Sequence, residues 1–169
     1  MKRAIVILCV LMSAAACRGR EPESRGNIVF VRVLEPSSRP EPGVLFSVFI
    51  EVRVRPGFHV NSSEPGDELL FPAAVEVVGG SGLRLERAVF PEGRRVDVAF
   101  SRGPVSVLDG VFRVELELQL DAAYADEKVE LEGGFRFQAC DDKTCLPPSA
   151  AAFAKTLKVK SRSTTRPDS

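Results

Sequence analysis

The sequence predicts an all-β domain, a sandwich or a barrel, and three observations carry that expectation. No segment sustains an apolar period near 3.6 residues, the mark of an amphipathic helix. Two segments, residues 44–54 and 111–120, alternate apolar and polar side chains as half-buried strands do. Turn signals built from Gly, Pro, Asn and Asp recur at intervals of roughly 8–12 residues, the spacing of short strands joined by tight connections.

Taken in order, Ile28-Val29-Phe30-Val31-Arg32-Val33-Leu34 reads as a first strand, followed by a Pro-rich loop over residues 35–43. In the strand at 44–54, Phe46, Val48, Ile50, Val52 and Val54 share one face, while Ser47, Glu51 and Arg53 point the other way. Pro56-Gly57 breaks it, and Phe58-His59-Val60 resumes extended structure. Residues 61–67 form a polar loop with Pro65-Gly66, ahead of Leu69-Leu70-Phe71-Pro72. Residues 74–78 and 83–90 read as strands joined by Gly79-Gly80-Ser81-Gly82. Short strands at 96–100 and 105–108 flank Arg102-Gly103-Pro104, and Asp109-Gly110 is a hairpin signal. The next strand, 111–120, turns Phe112, Val114, Leu116, Leu118 and Leu120 inward and Arg113, Glu115, Glu117 and Gln119 outward. A helical turn is expected within 121–127, a strand over 129–138, a last strand over 153–159 and a polar tail over 161–169.

The amino terminus stands apart from this pattern. Lys2 and Arg3 precede an uncharged apolar run from Ala4 to Ala16, which reads as a signal peptide over residues 1–16, too short to span a membrane convincingly. Ser13-Ala14-Ala15-Ala16-Cys17 resembles a bacterial lipoprotein cleavage site, with Ala14 where Leu is usual. Residues 17–26 are then a polar tether, and Cys17 is the candidate for lipidation. Ordinary cleavage would instead leave Cys17 as a free thiol, an exposed liability in an exported protein. The chain of 169 residues suits one domain, residues 27–160, plus these segments.

Composition excludes some functions. Apolar residues make up 44%, enough for a proper core. With 23 basic and 23 acidic residues the formal charge is zero, which argues against a nucleic-acid binder. Trp is absent and Tyr occurs once, so stacking platforms are scarce, whereas 11 Phe suit a β core. No Gly-rich phosphate loop opens a helix, so no nucleotide cofactor is expected. Ser62 and Ser63 beside Glu64 read as loop polarity and not as nucleophiles.

Chemistry concentrates in Phe135-Arg136-Phe137-Gln138-Ala139-Cys140-Asp141-Asp142-Lys143-Thr144-Cys145-Leu146-Pro147-Pro148. A strand enters a polar loop held between two cysteines, and the two prolines end pairing on that line because neither has an N–H to donate. Of the four cysteines, Cys9 falls in the signal peptide and Cys17 at the start of the tether, which leaves Cys140 and Cys145 as the pair. A loop so short can bring their Cα atoms within the usual disulfide range of about 4.4–6.8 Å, and an exported compartment permits the bond. Two readings stay open at this point. A pair in a tight polar loop can exchange disulfides, one thiolate attacking and the other resolving. It can equally be a static staple in a non-catalytic binding module. Cys140, Cys145, Asp141 and Asp142 make a mixed, open ligand set that is poor for a metal.

The run Phe-Gln-Ala-Cys-Asp-Asp-Lys-Thr-Cys-Leu-Pro-Pro resembles the active-site segment of the periplasmic amino-terminal domain of the disulfide reductase DsbD. Gly57-Phe58-His59-Val60-Asn61-Ser62 and Phe90-Pro91-Glu92 resemble further landmarks of that family, in the same order. The resemblance implies an immunoglobulin-like β-sandwich whose cysteines, Cys140 and Cys145, cycle between dithiol and disulfide. It also implies electron transfer from a thioredoxin-like donor to periplasmic thiol proteins. It makes Cys145 the sulfur that joins partners, and Phe100, in Asp97-Val98-Ala99-Phe100-Ser101, the candidate aromatic cap. The cysteine spacing here is one residue shorter than the family pattern. Local charge agrees in sense: Asp141 and Asp142 disfavour a thiolate at Cys140, and Lys143 favours one at Cys145. No second hydrophobic span follows, so a carrier of this kind is expected to be reduced by another polypeptide, and to meet membrane only through a lipid at Cys17. His59, the one histidine, has no evident partner in sequence and reads as a packed or surface residue, as Phe58, Phe135 and Phe137 read as core.

Overall fold

The computed structural model describes residues 28–78, 82–98, 101 and 103–160. The expected signal peptide, the tether with Cys17, the tail at 161–169 and Phe100 lie outside the described residues. Eleven strands and no helix occur among those described. They are β1 (Val29–Val33), β2 (Leu45–Val54), β3 (His59–Asn61), β4 (Ala74–Val77), β5 (Leu83–Val89), β6 (Arg94–Val96), β7 (Val105–Leu108), β8 (Val111–Leu120), β9 (Lys128–Phe137), β10 (Ala139–Cys140) and β11 (Ser149–Lys158). They form three antiparallel sheets, β1-β2-β8-β5, β10-β3-β7-β6 and β11-β9-β4. The sheets pack as an all-β sandwich around one core.

Alternation explains that core. In β2, Phe46, Val48, Ile50, Val52 and Val54 are buried, and in β8, Val114, Leu116, Leu118 and Leu120 are buried, with Phe112 packed at the margin. Register sets Val48 opposite Leu116 and Ile50 opposite Val114. The facing layer supplies Val129, Leu131, Phe135 and Phe137 from β9 with Phe153 and Leu157 from β11. Phe135 is the aromatic hub, with the rings of Phe137, Phe112 and Phe90 centred 5.8, 6.1 and 6.4 Å away. Phe58 sits at the core's edge with the Arg55 guanidinium 4.9 Å above its ring. Glu51 breaks the outward pattern because it is buried. Arg32 and Arg113 lie on either side of it in register, and Arg32 Nε donates to its carboxylate at 2.9 Å.

Four local expectations are corrected. Asp109-Gly110 does not close a hairpin, because β7 pairs with β3 and β6 while β8 pairs with β2 and β5. Gly110, at φ 62°, turns the chain from one sheet into another, and its carbonyl accepts from Val54 N at 2.8 Å to open the β2–β8 ladder. Of the expected strand at 96–100, Val96 instead ends an earlier strand, Arg94–Val96, where β7 supplies Val107, Ser106 and Val105 as partners; residues 97 and 98 lie outside it, and 99 and 100 are not among the described residues. The last strand begins at Ser149 and not at 153, since β9 offers partners that override the weak strand preference of three alanines. Residues 121–127 hold a turn closed by Tyr124 N donating to Asp121 O at 3.0 Å, and no helix.

Candidate functional site

The site forms where β9 gives out. Phe135 and Phe137 anchor the strand in the core, and after Gln138 the chain leaves β11 and β4 to pair, as β10, with β3. Ala139 then stands opposite Val60, and Cys140 opposite His59. A turn over residues 141–144 returns the chain so that Cys145 meets Cys140 across an isolated antiparallel bridge. Asp141 N donates to Thr144 O at 2.9 Å, and Leu146 N to Ala139 O at 2.8 Å. These bonds fall on the residues either side of the cysteines, so the cysteines occupy the non-hydrogen-bonded position, where facing Cα atoms come closest. Their Cα atoms are 4.0 Å apart and their sulfurs are joined at 2.06 Å. That register accounts for a separation just under the anticipated interval.

The loop is tied by its own first residue. Asp141 Oδ1 accepts from the backbone amides of Lys143 and Thr144, both at 2.8 Å, an Asx-type turn. Those two amides hold the Asp141 carboxyl below its ordinary range. An ionised carboxylate therefore stays beside Cys140, as the sequence suggested, while Lys143 and Thr144 are exposed. Cys140 is fully buried, at 0% exposure, and Cys145 is half-buried.

Two neighbours complete the site, and both are supplied by the fold. Gln138, which follows β9, clamps the loop. Its Oε1 accepts from Asn61 Nδ2 at 3.2 Å and Phe71 N at 3.3 Å, and its Nε2 donates to Leu146 O at 3.2 Å. Asn61 is buried and also donates to Phe71 O at 2.9 Å. The carboxyl flank of the cysteine loop is thereby tied to β3 and to the loop before β4. His59 is the second neighbour. Its Nε2 is enclosed and meets no hydrogen-bond partner among the described residues. Burial, then the Arg94 guanidinium, lowers its pKa, against the carboxylates of Asp109, Asp142 and Asp141. A partner 81 positions away leaves no local signal; the pairing of β3 with β10 was the missing information.

The other candidates are placed as follows. Ser101, next to Phe100, donates from Oγ to Asp67 Oδ2 at 2.7 Å, which ties that loop to residues 61–73. Ser62 is buried, and its Oγ accepts from Glu64 N at 3.2 Å. Among the described residues, no three His, Cys, Asp or Glu side chains converge as a metal site. An open groove borders the loop, lined by Ile28, Phe30, Leu146, Pro147 and Ala150 among others.

The sequence pattern of the family described as "Thiol:disulfide interchange protein DsbD, N-terminal" matches residues 34–157. Among solved structures, the chain is similar to the DsbD amino-terminal domain of Neisseria meningitidis in its reduced form. That similarity has a TM-score of 0.46 and 16% identity, over 78% of this chain and 90% of that one. It is also similar to the N-terminal periplasmic domain of ScsB from Proteus mirabilis, at a TM-score of 0.46 and 16% identity, over 78% of this chain and 44% of that one. Comparison with curated proteins finds no match.

Proposed function

The chain belongs to the family of DsbD amino-terminal domains, and from that premise we propose that it is an exported thiol–disulfide exchange domain. Its Cys140–Cys145 pair accepts electrons from a thioredoxin-like donor and passes them to thiol proteins of the periplasm. The observation that carries this reading is the unequal exposure of the two cysteines: Cys140 is sealed, and Cys145 opens toward solvent on a polar loop.

The donor's thiolate attacks Cys145 Sγ. A bond from donor to Cys145 forms, the Cys145–Cys140 bond breaks, and the electron pair leaves on Cys140 Sγ as a thiolate that takes up a proton. The donor's second thiolate then attacks the donor sulfur of the mixed disulfide and releases Cys145. Two electrons and two protons have moved from the donor to the pair. An oxidised client reverses the sequence: Cys145 attacks the client's disulfide and Cys140 resolves the mixed bond. The groove bordering the loop, with Phe30 and Leu146 on its wall, offers a partner an apolar seat beside Cys145. Phe100 is assigned as the cap over the pair, so Phe100→Ala should speed alkylation of the reduced protein.

Trapping tests the mechanism. Cys140→Ser leaves Cys145 to attack without a resolving thiol, so mixed disulfides with oxidised clients should accumulate. Cys145→Ser should trap few, because the remaining thiol is buried. If neither variant traps and a reduced thioredoxin-like protein leaves the wild-type bond intact, the bond is a staple and the protein a binding module. Equal trapping would keep the carrier and remove Cys145 from its role. The same reading assigns residues 1–16 as the signal peptide and Cys17 as an acylated anchor. Mass spectrometry of a membrane fraction should find a lipid adduct at Cys17, and a free thiol there would remove the anchor but not export.

A further inference from the structure

His59 and the two cysteines lie in one row across the sheet. Cys145 faces Cys140 on one side of β10, and His59 faces Cys140 on the other. Directly opposed residues of antiparallel strands project to the same face, with Cβ atoms about 4.5–5.5 Å apart. Carrying the β3–β7 register, in which Val60 meets Leu108, one step further sets Asp109 opposite His59. Asp109 is in turn paired with Arg94 at 2.6 Å. A buried imidazole nitrogen without a partner costs free energy unless another state of the protein satisfies it. The atom next in the row, Cys140 Sγ, changes its chemistry when the disulfide opens. A disulfide sulfur is a poor hydrogen-bonding group, whereas a thiolate is a charged acceptor.

We propose that His59 is the hydrogen-bond and proton partner of the sulfur that Cys140 releases when the Cys140–Cys145 bond opens. The inference rests on the reading of the pair as redox-active and names what manages the charge of its buried half. When an incoming thiolate bonds to Cys145, the electron pair of the broken bond arrives on Cys140 Sγ, which is sealed from water. His59 N–H donates to it, and the proton that is then taken up from solvent is shared between the imidazole and Cys140 Sγ, so negative charge stays opposite the ring. Stabilising the leaving thiolate lowers its pKa, and a leaving sulfur of lower pKa departs faster. Asp141 and Asp142, next to Cys140 in the chain, oppose the new charge, which is why a donor at His59 matters.

The charged groups around the ring agree with this role. Arg94 of β6 holds the imidazole's proton affinity down, while Asp109 after β7 and Asp141 and Asp142 after β10 raise it, with burial the largest influence and downward. With the disulfide closed the ring is therefore neutral at pH 7. A negative sulfur appearing opposite adds a strong influence in the other direction, so proton affinity at His59 becomes linked to the redox state.

The chain's single histidine makes the test direct. The imidazole proton resonances are followed against pH in the oxidised protein, in protein reduced with dithiothreitol, and in Cys145→Ser and Cys140→Ser. The titration should move to higher pH on reduction, by about tenfold in proton affinity, the effect of one hydrogen bond to a charged group. Cys145→Ser should keep this rise and Cys140→Ser should lack it. Identical titrations in oxidised and reduced protein, or a rise that survives in Cys140→Ser, would overturn the proposal. His59→Phe should slow reduction by dithiothreitol about tenfold at pH 7 and lose the corresponding step in the pH–rate profile, which a merely structural role would leave in place. Should His59→Phe fail to fold, the wild-type titration decides alone. Dithiothreitol needs no protein partner, so a chain that no thioredoxin-like protein reduces would sink the carrier and leave the titration result standing.

Discussion

Reducing the Cys140–Cys145 bond should leave the sandwich folded, with only a modest loss of stability. The bond spans a sequence separation of 5, so it closes a loop of about 6 residues, and the chain-entropy relation then gives roughly 2 kcal/mol. For a domain of this size that corresponds to a fall in Tm of about 5–10 °C. The core has its own support: Val48, Ile50, Val52, Leu116, Leu118, Leu120 and Leu131 are fully buried, and none depends on the cysteine loop for its neighbours in register. By the same linkage, folding should make the bond only about 45 mV harder to reduce than in the unfolded chain. Thermal unfolding followed by circular dichroism, with and without dithiothreitol, measures the first quantity, and titration against glutathione in water and in denaturant measures the second. A reduced protein that is unfolded at 25 °C, or a Tm fall beyond about 20 °C, would refute the reasoning. The bond would then hold the fold, and a carrier that unfolds at every turnover is not a workable carrier.

Other expectations follow from the same structure. Val114→Asp puts a carboxylate at a site with 0% exposure opposite Ile50. The cost of several kcal/mol approaches the whole stability of a domain, about 5–15 kcal/mol, so the variant should lack the sheet-dominated circular dichroism of the parent. The oxidised protein should lose stability on acidification from about pH 7.5 to 5.5. His59 has a lowered pKa in the folded state, so below about pH 6.5 the unfolded chain binds more protons than the folded one. Stability present above that pH is then lost as pH falls. Urea unfolding midpoints at the two pH values measure this, and His59→Phe should flatten the difference; a flat wild-type profile would contradict it. Asp141, whose pKa is also lowered, acts in a separate and more acidic window, below the ordinary carboxylate range.

What was legible in the sequence is what depends on neighbours two residues apart. The inward faces of β2 and β8 could be read because alternation is a local property, and every residue assigned to them packs as assigned. Sheet membership is not local. Asp109-Gly110 has the composition of a hairpin turn, but the choice between closing a hairpin and crossing to another sheet lies with β2, which offers Val54 N to Gly110. Ala150, Ala151 and Ala152 carry little strand preference and pair because β9 presents Arg136, Phe135 and Gly134. Gln138 and His59 belong to the same class. Their partners are 67 and 77 positions away in one case and a facing strand in the other.

The chemistry of the cysteine loop inherits that dependence. Its local sequence is enough to form the turn and join the sulfurs, since Asp141 caps its own loop and the non-hydrogen-bonded register does the rest. A bare hairpin of this kind would leave both sulfurs wet and nearly equivalent. What makes them unequal is β3, which covers β10 on the side away from Cys145 and sets His59 against Cys140. A slip of one residue in that pairing would turn His59 to the opposite face and bring Val60 or Phe58 beside the cysteine. The disulfide would survive, and the difference between an open sulfur and a sealed one, with His59 set against it, would not. Gln138 guards against such a slip: its backbone carbonyl takes Asn61 N at 3.4 Å while its side chain holds Asn61 Nδ2 and Phe71 N. The residue that looks least chemical in the cysteine segment is thus the one that fixes which sulfur is sealed and which is open.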